Sequence, residues 1–485
     1  MSANEESTPH GDSFIDGLTH AGIKPLRGGL IVAVALLVWF VAPVPDGLTL
    51  QAWRLFLIFI STIAIVIADA MPIFVAAIGA LAISILTAVL TPSQAFSGFS
   101  DGLILLIVVA SLIARGVIRS GLGTRIAYLI ITKLGKTTLG LGYSMVATDL
   151  LIAPAFPSNT ARSGVLFPIV QSLALGSGSL PDEATRMRTG AFLIMMSMTG
   201  LSISSALWLT AMAANPMGAA MAREAGIEIT FGSWLLASSV PSLTAFAIIP
   251  YILYRVFTPE VVRTPDAPNM ARERLVEMGP MSVQEWVMAM TFVGLVTLWS
   301  LSSYLGIDIT AVAFAGLLVV MASGIFSVKD LKGEGGTLEV FVWFAILYTL
   351  SRSLNEFGFM TYLGDQISQL IATFPWPIVY AVLLTSYVFL HYFFVSQTAQ
   401  MLALFPIYLA VGIAAGVPPM LMALMLLFAT NFFSCITPQG SSANVIFVGS
   451  GYVTTGEVYR NGTIVTFANL LVYGVVGTAW ILYVF

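Results

Sequence analysis

Two short polar clusters interrupt an otherwise apolar chain: Ser158-Asn159-Thr160 and Ser396-Gln397-Thr398. Together they supply four hydroxyls and two carboxamides, groups that donate hydrogen bonds without carrying charge. An anion that leaves water needs such donors, because an unpaired charge in a low-dielectric setting is very costly. Pro154 and Pro157 precede the first cluster, and Pro438, Gly440, Ser441 and Ser442 interrupt the apolar run that holds Thr437, so helices are predicted to break there. A helix that starts at either cluster adds free backbone N–H groups and the positive end of its dipole. Two such ends suit a small dicarboxylate with an anionic group at each end, and the six residues are read as its binding groups.

Two ionisable residues flank the clusters. Arg162 follows Thr160 by two positions and His391 precedes Ser396 by five. Ionisable groups at membrane depth are costly and face a partner or a cavity. The functional reading is charge compensation for the anion, His391 being able to titrate near neutral pH. The alternative is a structural hydrogen bond, or Arg162 reaching out to an interface. Asp149 is a partner for Arg162 or a ligand for a cation, with a backbone hydrogen bond as the bland alternative.

The elements that must position these groups follow from an internal duplication. Displacing the chain by 238 positions lays Ser158 to Ile169 over Ser396 to Ile407 with seven of twelve residues identical, where composition gives about one. The same displacement pairs Thr199 with Thr437 and Ser204 with Ser442. An isolated Ser-x-Thr in a membrane helix ordinarily bonds its own preceding turn. Duplication beside helix-breaking residues is what favours binding here.

Composition fixes the solvent. The 485 residues are 58% hydrophobic and 9% charged, against about 25% charged in soluble domains. Apolar runs such as 30–43, 55–68, 75–90 and 103–114 recur to the last residue, and with their flanks many reach the ~20 residues that a spanning helix needs. The prediction is an all-α polytopic membrane protein with about 11 transmembrane helices, two inverted repeats, re-entrant hairpins and broken helices. Residues 1–28 read as a cytoplasmic polar tail with no targeting pattern, 29–50 as the first transmembrane helix and 51–257 as the first repeat. Residues 258–284 read as an exposed cytoplasmic linker and 285–485 as the second repeat. Arg115, Arg119, Arg125, Lys133 and Lys136 crowd one stretch of the first repeat, whereas its counterpart keeps Arg352 with Glu356 and Asp365, so the copies face opposite sides with a cytoplasmic N-terminus.

Several classes are excluded or set back. Scattered Lys and Arg and a net charge of −4 give no nucleic-acid footprint. The single Cys435 forms no intramolecular disulfide and no multi-cysteine metal site, and His10 and His20 lie in the polar tail. An intramembrane enzyme with His391 as base would need one asymmetric site, and the duplicated clusters have no duplicated base. A channel would need a filter motif that the sequence lacks.

Pro157 to Gly164 (PSNTARSG), His391 to Gln400 (HYFFVSQTAQ) and Asn444 to Val453 (NVIFVGSGYV) resemble the divalent-anion:sodium symporter family. The likeness is nearest to the branch of bacterial citrate/succinate and tartrate/succinate antiporters and plastid 2-oxoglutarate/malate translocators. It implies a homodimer in the lipid bilayer of a bacterial inner membrane, with a mobile transport domain working as an elevator against a fixed scaffold. It further implies substrate contacts from Ser158, Asn159, Thr160, Ser396 and Thr398, and helix breaks at Thr199, Gly200, Thr437 and Pro438 that complete the site. No cofactor is expected. Gln397 departs from the asparagine of sodium-coupled relatives, in which Ser158, Asn159, Ser396 and Gln397 would hold Na⁺; the longer amide moves the ligand oxygen by roughly 1.5 Å. A Na⁺-independent antiporter of C4/C5 dicarboxylates (succinate, malate, fumarate, 2-oxoglutarate, with tartrate and citrate at the margin) is therefore expected, the Na⁺-coupled symporter being the alternative.

Overall fold

The computed structural model describes residues 22–371 and 374–485. Most of the tail expected at 1–28, with His10 and His20, lies outside the described residues. Among the described residues there is no strand beyond an isolated antiparallel bridge between Thr137 and Arg263. Among the described residues, ten helices are long and apolar enough to cross a hydrocarbon core of about 30 Å, or eleven if a pair bent by 110° is one span, in line with the expected number.

After α1 (Pro25–Val41) the chain runs through α2 (Leu50–Ile67), α3 (Ile73–Leu86), α4 (Gly102–Ser120), α5 (Leu122–Leu134) and α6 (Thr138–Ile152). It continues with α7 (Asn159–Gly176), α8 (Gly190–Leu207), α9 (Ala214–Glu224) and α10 (Phe231–Val256). After α11 (Ala267–Met278) the same order recurs in α12 (Val283–Ser300), α13 (Ile309–Ala322), α14 (Gly335–Glu356), α15 (Phe359–Ile371) and α16 (Trp376–Phe389). It closes with α17 (Gln397–Ala414), α18 (Pro419–Phe432), α19 (Ser442–Val448) and α20 (Thr455–Leu471), which runs on through a π-helical turn to Val484. Corresponding helices share lengths: α3 and α13 have 14 residues, α5 and α15 have 13, α7 and α17 have 18. At a rise of 1.5 Å per residue, α3 and α13 reach about 21 Å, too short to span alone.

The core is the pair α8 and α18. Every residue of α8 is buried, and α18 is buried from Leu421 to Phe432. A helix apolar on all sides belongs inside other helices, and α8 packs between α6, α7, α10 and α18. Close approach is enforced at Gly462 of α20, where a Cβ would stand 1.9 Å from the carbonyl oxygen of Cys435.

Residues 258–284 are less free than the expected exposed linker. Helix α11 lies along α5, and Arg125 reaches from α5 to bond the carbonyl of Gly279 and pair with Glu285 at 2.5 Å, both side chains buried. Glu285 also closes a capping box with Ser282 that starts α12. Two further arginines of the basic stretch 115–136 are paired as well. Arg115 meets Glu334 at 3.0 Å and Arg119 meets Asp330 at 2.8 Å, joining the end of α4 to the approach to α14. The Arg119 guanidinium holds the Asp330 carboxyl well below the usual carboxylate range. At the other end of these two helices, Arg223 meets Asp101 at 2.8 Å and Arg352 meets Glu356 at 2.9 Å.

Candidate functional site

Each polar cluster sits where a helix starts after a break. The first hairpin runs down α6, tightens into a 3₁₀ turn at Ala153–Ala155 that contains Pro154, and turns at Pro157 into α7. Ser158 is the N-cap of α7, with φ −146° and ψ 119°, and its hydroxyl accepts from the Ala161 N–H. The second hairpin repeats this through α16, a 3₁₀ turn at Leu390–Phe393 and α17, with Ser396 as N-cap at φ −147° and ψ 125° accepting from Ala399. Serine suits both places, because its oxygen takes one of the donors a helix start leaves open.

The two hairpin tips converge on one cavity of about 400 Å³. Ser158, Asn159, Thr160, Ser396, Gln397 and Thr398 all line it. The opposite wall comes from α4 and α14, with Ile107, Ser111, Val340, Trp343 and Phe344, and from the turn between α2 and α3. Asn159 Nδ2 donates to Gln397 Oε1 at 3.2 Å, and Thr160 Oγ1 lies 2.6 Å from Ser442 Oγ. Gln397 is further fixed by Nε2 donating to the Thr430 carbonyl at 2.8 Å.

Arg162 and His391 stand behind the clusters and line none of this wall. The Arg162 side chain is fully buried and held by four oxygens: Asp149 Oδ2 at 2.8 Å, Ser204 Oγ at 2.6 Å, Asn159 Oδ1 at 2.6 Å and the Ser205 hydroxyl. Paired with Asp149, it presents no net charge to the cavity, so it does not offset the anion in the simple way expected. It does occupy the Asn159 oxygen that a cation would need. His391 Nδ1 lies 2.7 Å from Gln400 Oε1, Nε2 lies 2.8 Å from the Gly440 carbonyl, and the ring stacks on Phe433 with centroids 4.1 Å apart. It ties the second hairpin to the loop before α19.

The expected breaks are only partly in place. Thr437 and Pro438 lie in the loop between the 3₁₀ turn Phe433–Ile436 and α19. Thr199 and Gly200 sit inside the continuous helix α8, where Thr199 Oγ1 donates to the Met195 carbonyl at 2.9 Å. The first-repeat break comes later, at Trp208 to Ala213, and the residues it brings to the cavity are Met212 and Ala213, facing Ser441 and Ser442 from the second repeat. None of these four was singled out as a binding residue. The signal lies in a pair of asparagines. Asn215 Nδ2 donates to the carbonyls of Ser205 and Trp208, ten and seven residues back, and Asn444 Nδ2 donates to those of Ser434 and Thr437, again ten and seven back. The broken helices therefore correspond at an offset of 229, and Thr437 has Trp208 as its counterpart.

Residues 26–485 match the family described as the sodium:sulfate symporter transmembrane region. YflS of Bacillus subtilis, provisionally named a malate transporter, is 41% identical over 453 residues, 93% of this chain and 95% of that protein. Chloroplastic dicarboxylate transporter 2 of Spinacia oleracea is 38% identical over 467 residues, 95% of this chain and 83% of that one. In fold, the chain is similar to the crystal structure of the Alcanivorax borkumensis YdaH transporter, with a TM-score of 0.57 at 14% identity over 83% of this chain and 89% of that one. The duplicated hairpins, the broken helices and this match over nearly the whole length agree, and the chain belongs to the divalent anion:Na⁺ symporter family of membrane transporters.

Proposed function

We propose that this protein is a Na⁺-independent antiporter of C4/C5 dicarboxylates such as succinate, malate, fumarate and 2-oxoglutarate, with tartrate and citrate at the margin of its range. The observation that carries the substrate class is the convergence of two serine-capped helix starts, at Ser158 and Ser396, on one cavity lined by hydroxyls and carboxamides. Two dipole ends with free donors match one carboxylate each. The names of the relatives from Bacillus subtilis and Spinacia oleracea support the same class.

The coupling mode rests on Arg162. In a sodium-coupled site the oxygens of Ser158, Asn159, Ser396 and Gln397 would surround the ion. Here Asn159 Oδ1 accepts from Arg162, Gln397 Oε1 accepts from Asn159, and both serine hydroxyls accept from their own helix starts. With these oxygens already taken by the protein's own donors, no Na⁺ is needed to satisfy them, and the loaded state carries none. His391 adds a second polar anchor behind the other hairpin.

Transport works by an elevator movement: the hairpins with α8, α9, α18 and α19 slide as one body against α2 to α5 and α12 to α15. The cavity lies between those two groups. The protein works as a homodimer in a bacterial inner membrane with a cytoplasmic N-terminus, the two repeats lying inverted across the bilayer. Proteoliposomes test the reading. Labelled succinate is expected to enter only vesicles preloaded with dicarboxylate, at the same rate when choline replaces Na⁺. Na⁺-driven uptake into empty vesicles would instead establish the symporter.

A further inference from the structure

Among the described residues, a cavity suited to a dianion is lined by one ionisable side chain, and it is an acid, Asp69. It lies at the open rim, with 70% of its side chain exposed, in the turn between α2 and α3. Its backbone is left-handed at φ 49°, a region that Asp enters more readily than most residues other than glycine. Residues around the start of α1 hold this turn. The Lys24 N–H donates to the Ala70 carbonyl at 2.7 Å, Arg27 Nη1 donates to the Ala68 carbonyl at 3.1 Å, and the Lys24 ammonium pairs with the Asp69 carboxylate.

We propose that Lys24 and Asp69 form an electrostatic collar that governs entry of the anion: Lys24 holds the Asp69 carboxylate neutralised at the rim, and without it the site's own acid repels the substrate. Two unit charges at the short range of a cavity mouth interact appreciably even in water, and salt screens that interaction beyond about 8 Å at physiological strength. A fixed anion at the entrance lowers the local concentration of a dianion more than that of a monoanion, and so acts on apparent affinity rather than on the movement of the loaded domain. Lys24 is thus a positioning residue, one that sets substrate access without touching the substrate. The segment before the first span acquires a function in transport, distinct from that of a topological signal.

The inference rests on the dicarboxylate reading above, and the experiment separates the two. The full chain is reconstituted in vesicles, and succinate exchange is measured at low and high ionic strength for the unaltered protein and for Lys24→Ala, Lys24→Arg, Asp69→Asn and the double variant Lys24→Ala/Asp69→Asn. Lys24→Ala is expected to raise KM about three- to tenfold at low ionic strength with Vmax kept, the difference shrinking as salt rises. Lys24→Arg should match the unaltered protein, Asp69→Asn should lower KM, and the double variant should return to within about twofold of the unaltered KM. An unchanged KM for Lys24→Ala, a fall in Vmax alone, or a double variant no better than Lys24→Ala would overturn the collar. If Lys24→Ala is recovered poorly, the fall in KM for Asp69→Asn decides, and its absence overturns the inference. Failure of the unaltered protein to exchange succinate would overturn the dicarboxylate reading instead.

Discussion

Asn159 donates to Gln397, its own counterpart 238 residues later in the duplication, at 3.2 Å. The contact joins the two hairpin tips through equivalent positions of the two repeats. The extra methylene of Gln397 lets one side chain meet Asn159 through Oε1 while Nε2 bonds the Thr430 carbonyl of α18.

Gln397→Asn should break one of those two bonds, since the shorter amide reaches about 1.5 Å less far. The orphaned partner costs on the order of 1–3 kcal/mol. We expect a lower thermal midpoint in detergent and a several-fold rise in KM for succinate. Preserved stability and affinity would show that the contact is dispensable.

Removing Arg162 alone leaves Asp149 as an uncompensated buried charge, since both side chains are inaccessible. Arg162→Met should destabilise the protein by about 3–5 kcal/mol, whereas Arg162→Met with Asp149→Leu should recover most of that stability. Exchange should stay lost in the double variant, because Asn159 Oδ1 loses the donor that orients it. Thermal unfolding and exchange measured on the same preparations separate the two effects.

The matched caps predict matched losses. Ser158→Ala and Ser396→Ala should each cost about 1 kcal/mol from the cap and abolish saturable exchange, with the elution position on a gel-filtration column unchanged. Ser158→Thr keeps the capping oxygen and should keep the stability. A large difference in exchange between the two alanine variants would mean that the substrate is held at one helix start only.

Two glycines in helices should respond with opposite sign. Around Gly164 in α7 there is open space, with nothing within 4 Å of where an alanine methyl would stand, so Gly164→Ala should stabilise by about 1 kcal/mol through helix propensity. Gly462→Ala would drive its Cβ to 1.9 Å from the Cys435 carbonyl oxygen, forcing α20 away from the break that precedes α19. Loss of folded protein on gel filtration is expected for the second variant alone.

Much of this was legible in one dimension because apolar runs, proline breaks and an internal repeat leave marks in residue order. The bilayer demands long apolar helices, so the number of spans could be read from composition and length. The clusters at Ser158 and Ser396 stood out because they are copies of each other, and the structure gives them N-cap dihedrals within a few degrees. The displacement of 238 pairs Thr199 with Thr437, but the connection from α17 to α18 is shorter than that from α7 to α8, so the break of the first repeat lies at Trp208 to Ala213 and not at Thr199 and Gly200, where the family resemblance puts it. Only the tertiary structure decided which oxygens were already taken. The Arg162 and Asp149 pair is one of the options the sequence offers for Asp149, and packing selects it; Arg125 with Glu285 and Lys24 with Asp69 are set by helix packing over 160 and 45 positions of chain, and no local pattern encodes who meets whom. Sequence determined that a duplicated pair of serine-capped helix starts exists; packing determined that a guanidinium stands behind one of them and that an acid paired with Lys24 stands at the rim.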